Sequence, residues 1–416
     1  MTILILNRSN LATTPYLAWL GEGDEAVLLT SVGAISLDEQ TAKEELSGYR
    51  HVVTFEAFDG NPSVEIQALE LHRQYGFDSV IAMNEFDLLR AARLRAAMGL
   101  PGQQPHQAEA YRDKLRMKEL LTAAGIPVAP FAAVPHASDL HTFAATHGYP
   151  IVVKPRRGAG SMGVEVLGSA QELVAYVERT PDLGGDDGAP LLAEKFVEHD
   201  LFHIDGLIVA GELVLNWPSA CGSCLSYRDG STMISAMLDP GDPLTEALQN
   251  LTLRTIEALS ATEVMAFHAE AFLTPNGDLL LNEIGSRVGG GKIYETIRLA
   301  FDVDMVREFV RASGSASASL PASPRPVRSA GFAIFPGRPG TLTAAPQACP
   351  VVGVDQYKLN VPVGTVLGQA EHSSARIASV VVAGGNRNEV EDTLTKAATW
   401  FAEASAIEPA PTHTGS

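Results

Sequence analysis

A lysine closing an apolar run, followed by a turn with three glycines, is the first arrangement able to do chemistry: Pro150-Ile151-Val152-Val153-Lys154-Pro155-Arg156-Arg157-Gly158-Ala159-Gly160-Ser161-Met162-Gly163-Val164. Glycines let backbone N–H groups close on phosphate oxygens, a nest of such groups attracts anions, and a lysine adds a point charge. The pattern is not G-x-x-x-x-G-K-[ST], so it is no P-loop; an ordinary glycine-rich hairpin would read the same way. A second constellation is Phe267-His268-Ala269-Glu270-Ala271-Phe272, then Leu279-Leu280-Leu281-Asn282-Glu283-Ile284-Gly285-Ser286-Arg287. Glu270 and Glu283 each interrupt an apolar strand, and strand alternation puts both on one face. Buried carboxylates are costly unless paired or metal-bound. Oxygen ligands on neighbouring strands suit Mg²⁺ held together with substrate phosphates, and salt-bridged strand carboxylates are the plainer alternative. Arg287 and Gly289-Gly290-Gly291 follow directly, an arginine and a glycine run suited to a transferring phosphoryl group or a substrate carboxylate. A third is Leu191-Leu192-Ala193-Glu194-Lys195-Phe196-Val197-Glu198, where a strand end could hydrogen-bond a purine through its backbone while apolar neighbours sandwich the ring; an amphipathic edge strand is the alternative.

His268 lies two residues before Glu270 and so on the same strand face, where it contacts a ligand or supports one that does. The segment Trp217–Arg228 is expected near a substrate, with Tyr227 and Arg228 able to read a carboxylate or a ring. Cys221-Gly222-Ser223-Cys224 has C-x-x-C spacing but no second pair, so a metal or redox role is set aside. His136, His141 and His147 are expected in solvent, Arg338 in a turn, and Trp19 and Trp400 in packing.

These residues need elements to position them. Thr2–Leu6, Ala26–Thr30, Val52–Phe55 and Ser79–Met83 read as strands, with helices over Ser63–Tyr75 and Glu85–Met98; the alternation predicts a parallel sheet covered on both faces. No G-x-G-x-x-G follows the first strand. A helix over Asp113–Ala124 is closed by Gly125 and Pro127. Pro150–Lys154 and Val164–Val166 pair across the glycine turn, and Ala170–Glu178 is a helix. Asp182–Ala189 is a Gly/Asp-rich tip. Leu191–Val197 is a strand, His203–Val209 and Glu212–Trp217 form a hairpin around Ala210-Gly211, and Leu244–Leu259 is a helix. Val264–Leu273 and Asp278–Ile284 form a second hairpin around Pro275-Asn276-Gly277. Ser313–Pro326 reads as a linker. Strands Ala330–Phe335, Gly353–Leu359 and Ala378–Ala383 and a helix Glu389–Ala404 precede a disordered tail, Pro409–Ser416.

The 416 residues suggest two to four domains. With 30 Lys+Arg against 49 Asp+Glu, the net charge of −19 disfavours nucleic acid and anionic membrane surfaces as partners, while leaving room for a local phosphate pocket. Three cysteines give no disulfide framework, no apolar run spans a bilayer, and MTILILNRSN is not a secretory signal; the expectation is a cytoplasmic protein.

Taken in order, the motifs resemble the ATP-grasp superfamily of carboxylate–amine ligases, and within it the stand-alone amino-acid (dipeptide) ligase branch. The resemblance covers nearly the whole chain. It begins at Tyr111-Arg112-Asp113-Lys114-Leu115-Arg116-Met117-Lys118 and Ala124-Gly125-Ile126-Pro127-Val128, and runs through Val153-Lys154-Pro155, the glycine loop, Glu194-Lys195-Phe196-Val197 and the Glu270…Glu283 pair. It implies an α/β (α+β) protein with an α/β N-terminal domain (1–112), a two-lobed nucleotide-binding domain (113–313, mobile lid about 125–195) and a small C-terminal α+β domain (314–416). It implies ATP and Mg²⁺, with Mn²⁺ as a substitute, small carboxylate and amine substrates, and allows a homodimer.

The same resemblance gives residues roles. Lys114 and Lys154 hold nucleotide phosphates under a lid containing Gly158, Gly160, Ser161, Met162 and Gly163. Glu194, Lys195, Phe196 and Val197 form the adenine hinge. The ribose-binding acid usually follows a glycine, but His199-Asp200-Leu201 stands there, leaving Asp200, His203 or Asp205. Glu270 and Glu283 hold metal. Arg287, Lys154 and Gly290 serve the transfer, and His268, Arg228, Gly289 and Gly291 the substrate. Many members read Glu-x-Asn-x-Arg with the Asn also on metal; this chain has Gly285 there, so a second metal must use Glu283 bidentately, water or Asn282. The implied reaction is amide formation from a small carboxylate through an acyl-phosphate, giving ADP and phosphate. Purine-pathway-like or carboxylating ligases, and a nucleotide-binding protein without turnover, are the alternatives.

Overall fold

The computed structural model describes residues 1–180, 183, 190–223, 225–228, 230–318, 320, 324–370, 372 and 375–409. Apart from Leu183, the Asp182–Ala189 tip lies outside them, as do Cys224, four linker positions between 319 and 323, and the tail from 410; the side chain of Tyr227 is likewise not described.

Near-continuous apolar runs need cover on both faces, and the N-terminal strands receive it. His51–Phe55, Glu25–Ser31, Thr2–Asn7 and Ser79–Ala82 lie side by side in that order, all parallel. Leu4 and Leu6 pack toward the helices Ser63–Tyr75 and Leu88–Met98. Ile3 and Ile5 pack on the other face, with Tyr16 and with Val310 of the helix Met305–Ser313. The chain leaves the last strand at Asn84-Glu85, beside the end of Thr2–Asn7. In that order the sequence of strands reverses between these two, and open α/β sheets present ligand-facing groups at such a crevice.

A small antiparallel sheet follows, ordered Phe131–Val134, Leu191–Lys195, Ile151–Pro155, Glu165–Leu167. The helices Ala137–His147 and Ala170–Glu178 cover it through Leu140, Phe143, Leu173 and Tyr176. The helix Lys114–Ala123 enters through Asp113, whose carboxylate caps the N–H groups of Leu115 and Arg116, and leaves through Gly125, which has φ 70°.

The largest sheet has eight antiparallel strands: Leu279–Gly285, Met265–Leu273, Asp200–Val209, Glu212–Cys221, Met233–Met237, Ser329–Phe335, Ala378–Gly384 and Val354–Leu359. Its last three strands come from the chain beyond residue 313, so one sheet runs through both regions. Met233–Met237, which the sequence pattern does not mark as a strand, joins them. The hairpin at Ala210-Gly211 has positive φ at both residues, 52° and 81°, which matches the twist of its strands.

Gly206 sits where Asp200–Val209 is tightest. A Cβ there would lie 2.2 Å from the Leu215 carbonyl oxygen and 2.2 Å from Phe267 Cζ, in a buried strand with backbone on one side. Overpacking of this kind costs about 1–3 kcal/mol or more. Gly206→Ala is expected to lower the urea midpoint accordingly; an unchanged midpoint would mean the strand can give way.

Candidate active site

Between the small sheet and the large one lies a cleft of about 590 Å³, and the chemistry-bearing residues of the sequence converge on it. Lys114, Lys154, Gly158, Gly160, Ser161, Met162, Glu194, Lys195, Phe196, Val197, Asp200, His203, His268, Glu270, Glu283, Arg287, Gly290 and Gly291 all line it. Four expected residues do not, among them Asp205, the third candidate for the ribose. Gly163 (φ 68°) backs onto Pro155, where a Cβ would meet Cγ at 2.9 Å. Gly289 packs under the histidines: a Cβ would sit 2.5 Å from Asp205 Oδ1 and 3.0 Å from His268 Nδ1. Arg228 donates to the Val164 carbonyl and faces Glu165 at 4.0 Å, which joins the 225–228 turn to the glycine hairpin.

Strand register sets the carboxylates. Glu270 pairs with Glu283 across the hairpin and with His203 on the other side, and His203 pairs with Ser219. Residues directly opposite in antiparallel strands share a face, so one row crosses the sheet from carboxylates to imidazole to hydroxyl. Lys114 Nζ lies 3.2 Å from Glu283 Oε2 and donates to the Gly158 carbonyl at 2.9 Å, which ties the glycine loop to the carboxylate row. Asn282 Nδ2 donates to Glu270 Oε2 at 2.9 Å. Burial pushes the Glu283 carboxyl up, but the cations of Lys114 and Lys154 prevail and hold it down at about 2. Glu270, Glu283 and Asn282 are hard oxygen donors on adjacent strands, the set a Mg²⁺ ion favours.

The Glu194 carboxylate faces two lysines. It is buried, 3.1 Å from Lys118 Nζ and 3.0 Å from Lys154 Nζ. Burial raises the Glu194 pKa, yet the two lysines outweigh it and the net shift is downward. Burial lowers the pKa of Lys118, which also donates to the Asn282 carbonyl at 3.1 Å. Lys154 shows the opposite balance: burial disfavours its charge, but Glu194 and Glu283 raise its pKa. At the hinge, Phe196 N donates to Pro150 O, Val197 O faces His199 Nδ1 at 2.6 Å, and His199 stacks on Phe272 at 3.7 Å between centroids.

In the next row, Asp205 joins two imidazoles. His203 Nδ1 is 2.6 Å from its Oδ2, His268 Nδ1 is 2.8 Å from its Oδ1, and Ser235 Oγ lies 2.7 Å from His203 Nε2. Their donor atoms fall within 4.8 Å of one another, a spacing a metal would accept, but both Nδ1 atoms are already engaged by Asp205. Burial lowers the His268 pKa, and the Asp205 carboxylate overrides it, pushing it up to about 10.

Arg287 is held from outside the large sheet. Glu85, following the last parallel strand, meets Arg287 Nε at 2.6 Å and Arg112 Nη1 at 2.6 Å. Burial would raise the Glu85 pKa, and the two guanidiniums bring it down. Lys118 and Glu85 escaped the reading of the sequence as site residues. Lys118 had a signal, since it stands one helical turn after Lys114; Glu85 had none beyond its place at a strand end.

The comparisons follow from this geometry. Residues 119–293 match the family of the ATP-grasp domain. The L-arginine-specific L-amino acid ligase of Bacillus subtilis is 27% identical over 331 residues, 78% of this chain and 80% of that protein. The crystal structure of L-amino acid ligase from Bacillus licheniformis superposes with a TM-score of 0.74 at 18% identity, covering 98% of each chain. The biotin carboxylase domain of Hydrogenobacter thermophilus 2-oxoglutarate carboxylase, solved with MgADP and bicarbonate, superposes with a TM-score of 0.68 at 18% identity over 98% of this chain and 90% of that one. Among the described residues, no helix is long and apolar enough to cross a membrane. With its parallel N-terminal sheet, its two-lobed cleft and the matched segment 119–293, this chain has the ATP-grasp fold and carries an ATP-grasp domain.

Proposed function

We propose that the chain is an ATP-dependent carboxylate–amine ligase that joins an amino acid, or a similar small carboxylate, to an amine and releases ADP and phosphate. The observation that carries this is the in-register Glu270–Glu283 pair in one cleft with Lys114, Lys154 and Arg287. The named activity of the Bacillus subtilis relative supports the same reading.

In this reading Lys114, Lys154 and the loop around Gly158, Gly160, Ser161 and Met162 hold the nucleotide phosphates, and the backbone of Glu194–Val197 meets the base. Asp200 and His203 stand nearest the sugar. Glu270 and Glu283 hold Mg²⁺, or Mn²⁺ in its place, and that ion would neutralise phosphate charge and align the transferring group. A carboxylate is a poor electrophile; phosphorylation by the γ-phosphoryl group gives it a good leaving group. That transfer depends on positioning and charge neutralisation more than on covalent help. Arg287 and the Gly290–Gly291 backbone steady the anionic acyl-phosphate, His268 orients the substrate, and closure of the glycine hairpin keeps water from the intermediate. Arg228, which grips that hairpin, serves the substrate through closure in this account. The division into 1–112, 113–313 and 314–416, a cytoplasmic setting and a homodimer belong to the same proposal.

The test is phosphate release from ATP and Mg²⁺ across a panel of amino-acid pairs. Release is expected to require a particular pair. Glu283→Ala should reduce it about a thousandfold, on the order of 4 kcal/mol of transition-state stabilisation. Release that ignores the pair, or that survives Glu283→Ala, would overturn the reading.

A further inference from the structure

We propose that Glu85 is a positioning residue of the reaction centre: it reaches from the N-terminal parallel sheet into the space left by Gly285 and fixes the guanidinium of Arg287. The inference rests on the ligase reading above and adds to it a group outside the matched ATP-grasp segment.

Three observations carry it. First, the space is real. A Cβ on Gly285 would stand 3.1 Å from Glu85 Oε2 and 3.7 Å from Arg287 Cγ, so any side chain at 285 would compete with the carboxylate for one volume. Second, the hold on Arg287 is directional. Glu85 Oε2 takes Nε at 2.6 Å, and Nη1 donates to the Val288 carbonyl at 2.9 Å. Two fixed corners define the plane of a guanidinium and leave Nη2 to a ligand of the cleft that Arg287 lines. Third, Glu85 is itself braced. Its other oxygen meets Arg112 Nη1 at 2.6 Å, and Arg112 Nη2 donates to the Arg157 carbonyl at the base of the glycine hairpin at 2.7 Å. The Glu85 side chain is 12% exposed and that of Arg112 6%, so neither has room to wander.

The consequence is a division of labour. The strand Leu279–Gly285 leaves position 285 without a side chain. The N-terminal sheet contributes a carboxylate in return, not to a metal but to the arginine. Arg287 then presents one edge to an anion without leaving Glu85 unpaired, because Arg112 stays on it. Misplacement of a group by about 1 Å can cost a hundredfold in rate.

The experiment compares wild type, Glu85→Gln, Glu85→Asp and Gly285→Asn. It measures amino-acid-dependent ADP release, ATP affinity by calorimetry and thermal unfolding. Glu85→Gln keeps the shape but cannot hold two guanidiniums, and kcat is expected to fall about 10–100-fold with ATP affinity within about twofold. Glu85→Asp keeps the charge and should recover part of that loss. Gly285→Asn should reproduce the defect with Glu85 intact, by displacing its carboxylate. Wild-type kcat and KM in both Glu85→Gln and Gly285→Asn would overturn the proposal. So would a loss accounted for by weaker ATP binding or by unfolding at the assay temperature, the signature of a merely structural interdomain pair. Wild-type protein that shows no amino-acid-dependent release would overturn the ligase reading, and this role with it, before any variant is compared.

Discussion

Glu194→Ala is expected to destabilise the protein by about 3–5 kcal/mol, the usual cost of removing one partner from a buried ion cluster. The carboxylate stands between Lys118 and Lys154 at 3.1 and 3.0 Å, and all three groups are buried. Without it two ammonium groups face each other in a site with little water. Two features limit the damage. Lys154 keeps the field of Glu283 and Glu270, and burial already lowers the pKa of Lys118, so that lysine can shed its proton instead of remaining an unpaired charge. The loss should therefore fall at the lower end of the range at alkaline pH and at the upper end near neutrality. The sign on the acid side is fixed by Glu194 itself. Its pKa is lowered in the folded protein, so its contribution is complete above the ordinary carboxylate range and is lost as pH falls through and below it. Urea unfolding from pH 8 to pH 4 should show wild type and Glu194→Gln converging toward the acid end. Parallel curves would mean that the cluster carries no net pairing energy. In Lys118→Met/Glu194→Leu, packing replaces two charges and part of the stability should return.

How far such a cluster can be read from sequence depends on which neighbours fix its members. Glu270 and Glu283 were legible because period-2 apolar strands mark the face and Pro275-Asn276-Gly277 marks the hairpin. Their register then followed from local chemistry. Lys154 was legible as a charge ending an apolar run. The parallel sheet was legible because its strands are apolar on both faces. Lys118 was legible only as part of the D-K-x-x-x-K spacing, since its burial comes from the strand Leu279–Gly285, more than 150 positions away. The backbone of Glu194 is legible as a strand end, but nothing local says that two lysines claim its carboxylate. Arg228 is legible as a cation near a turn, but nothing local says that the distant Val164 carbonyl and Glu165 meet it. Asp205 had a signal, an acid in the apolar run of Asp200–Val209 two places after His203, but nothing local says that His268 closes on it from the next strand. The strand Met233–Met237 is only five residues long, and its neighbours in the sheet make it a strand. What the sequence withholds is long-range pairing of side chains, and the site's electrostatics consist mainly of that.

Arg287→Ala should lower kcat about 10²–10³-fold, the usual effect of removing one preorganised donor to developing charge. Its guanidinium is half-buried and its pKa raised: desolvation works against the charge, and Glu85 and Glu283 more than restore it, so it stays cationic throughout the working range. Arg287→Lys should recover only a small part, because an ammonium cannot take the Glu85 carboxylate and the Val288 carbonyl from two corners while presenting a third. ATP affinity should change little in either variant, since Lys114, Lys154 and the glycine loop remain. Combining Arg287→Ala with Glu85→Gln separates direct from indirect action. If Glu85 works only through Arg287, the second substitution costs nothing further once the arginine is gone, and the coupling energy in the double-mutant cycle equals the whole effect of Glu85→Gln. Additive losses would instead give Glu85 a contact of its own with the reacting groups. Charge balance favours the coupled outcome. With Arg287 removed, Arg112 still pairs Glu85, so the carboxylate is left compensated, and its neutralisation to glutamine then removes an interaction that no longer points at the cleft.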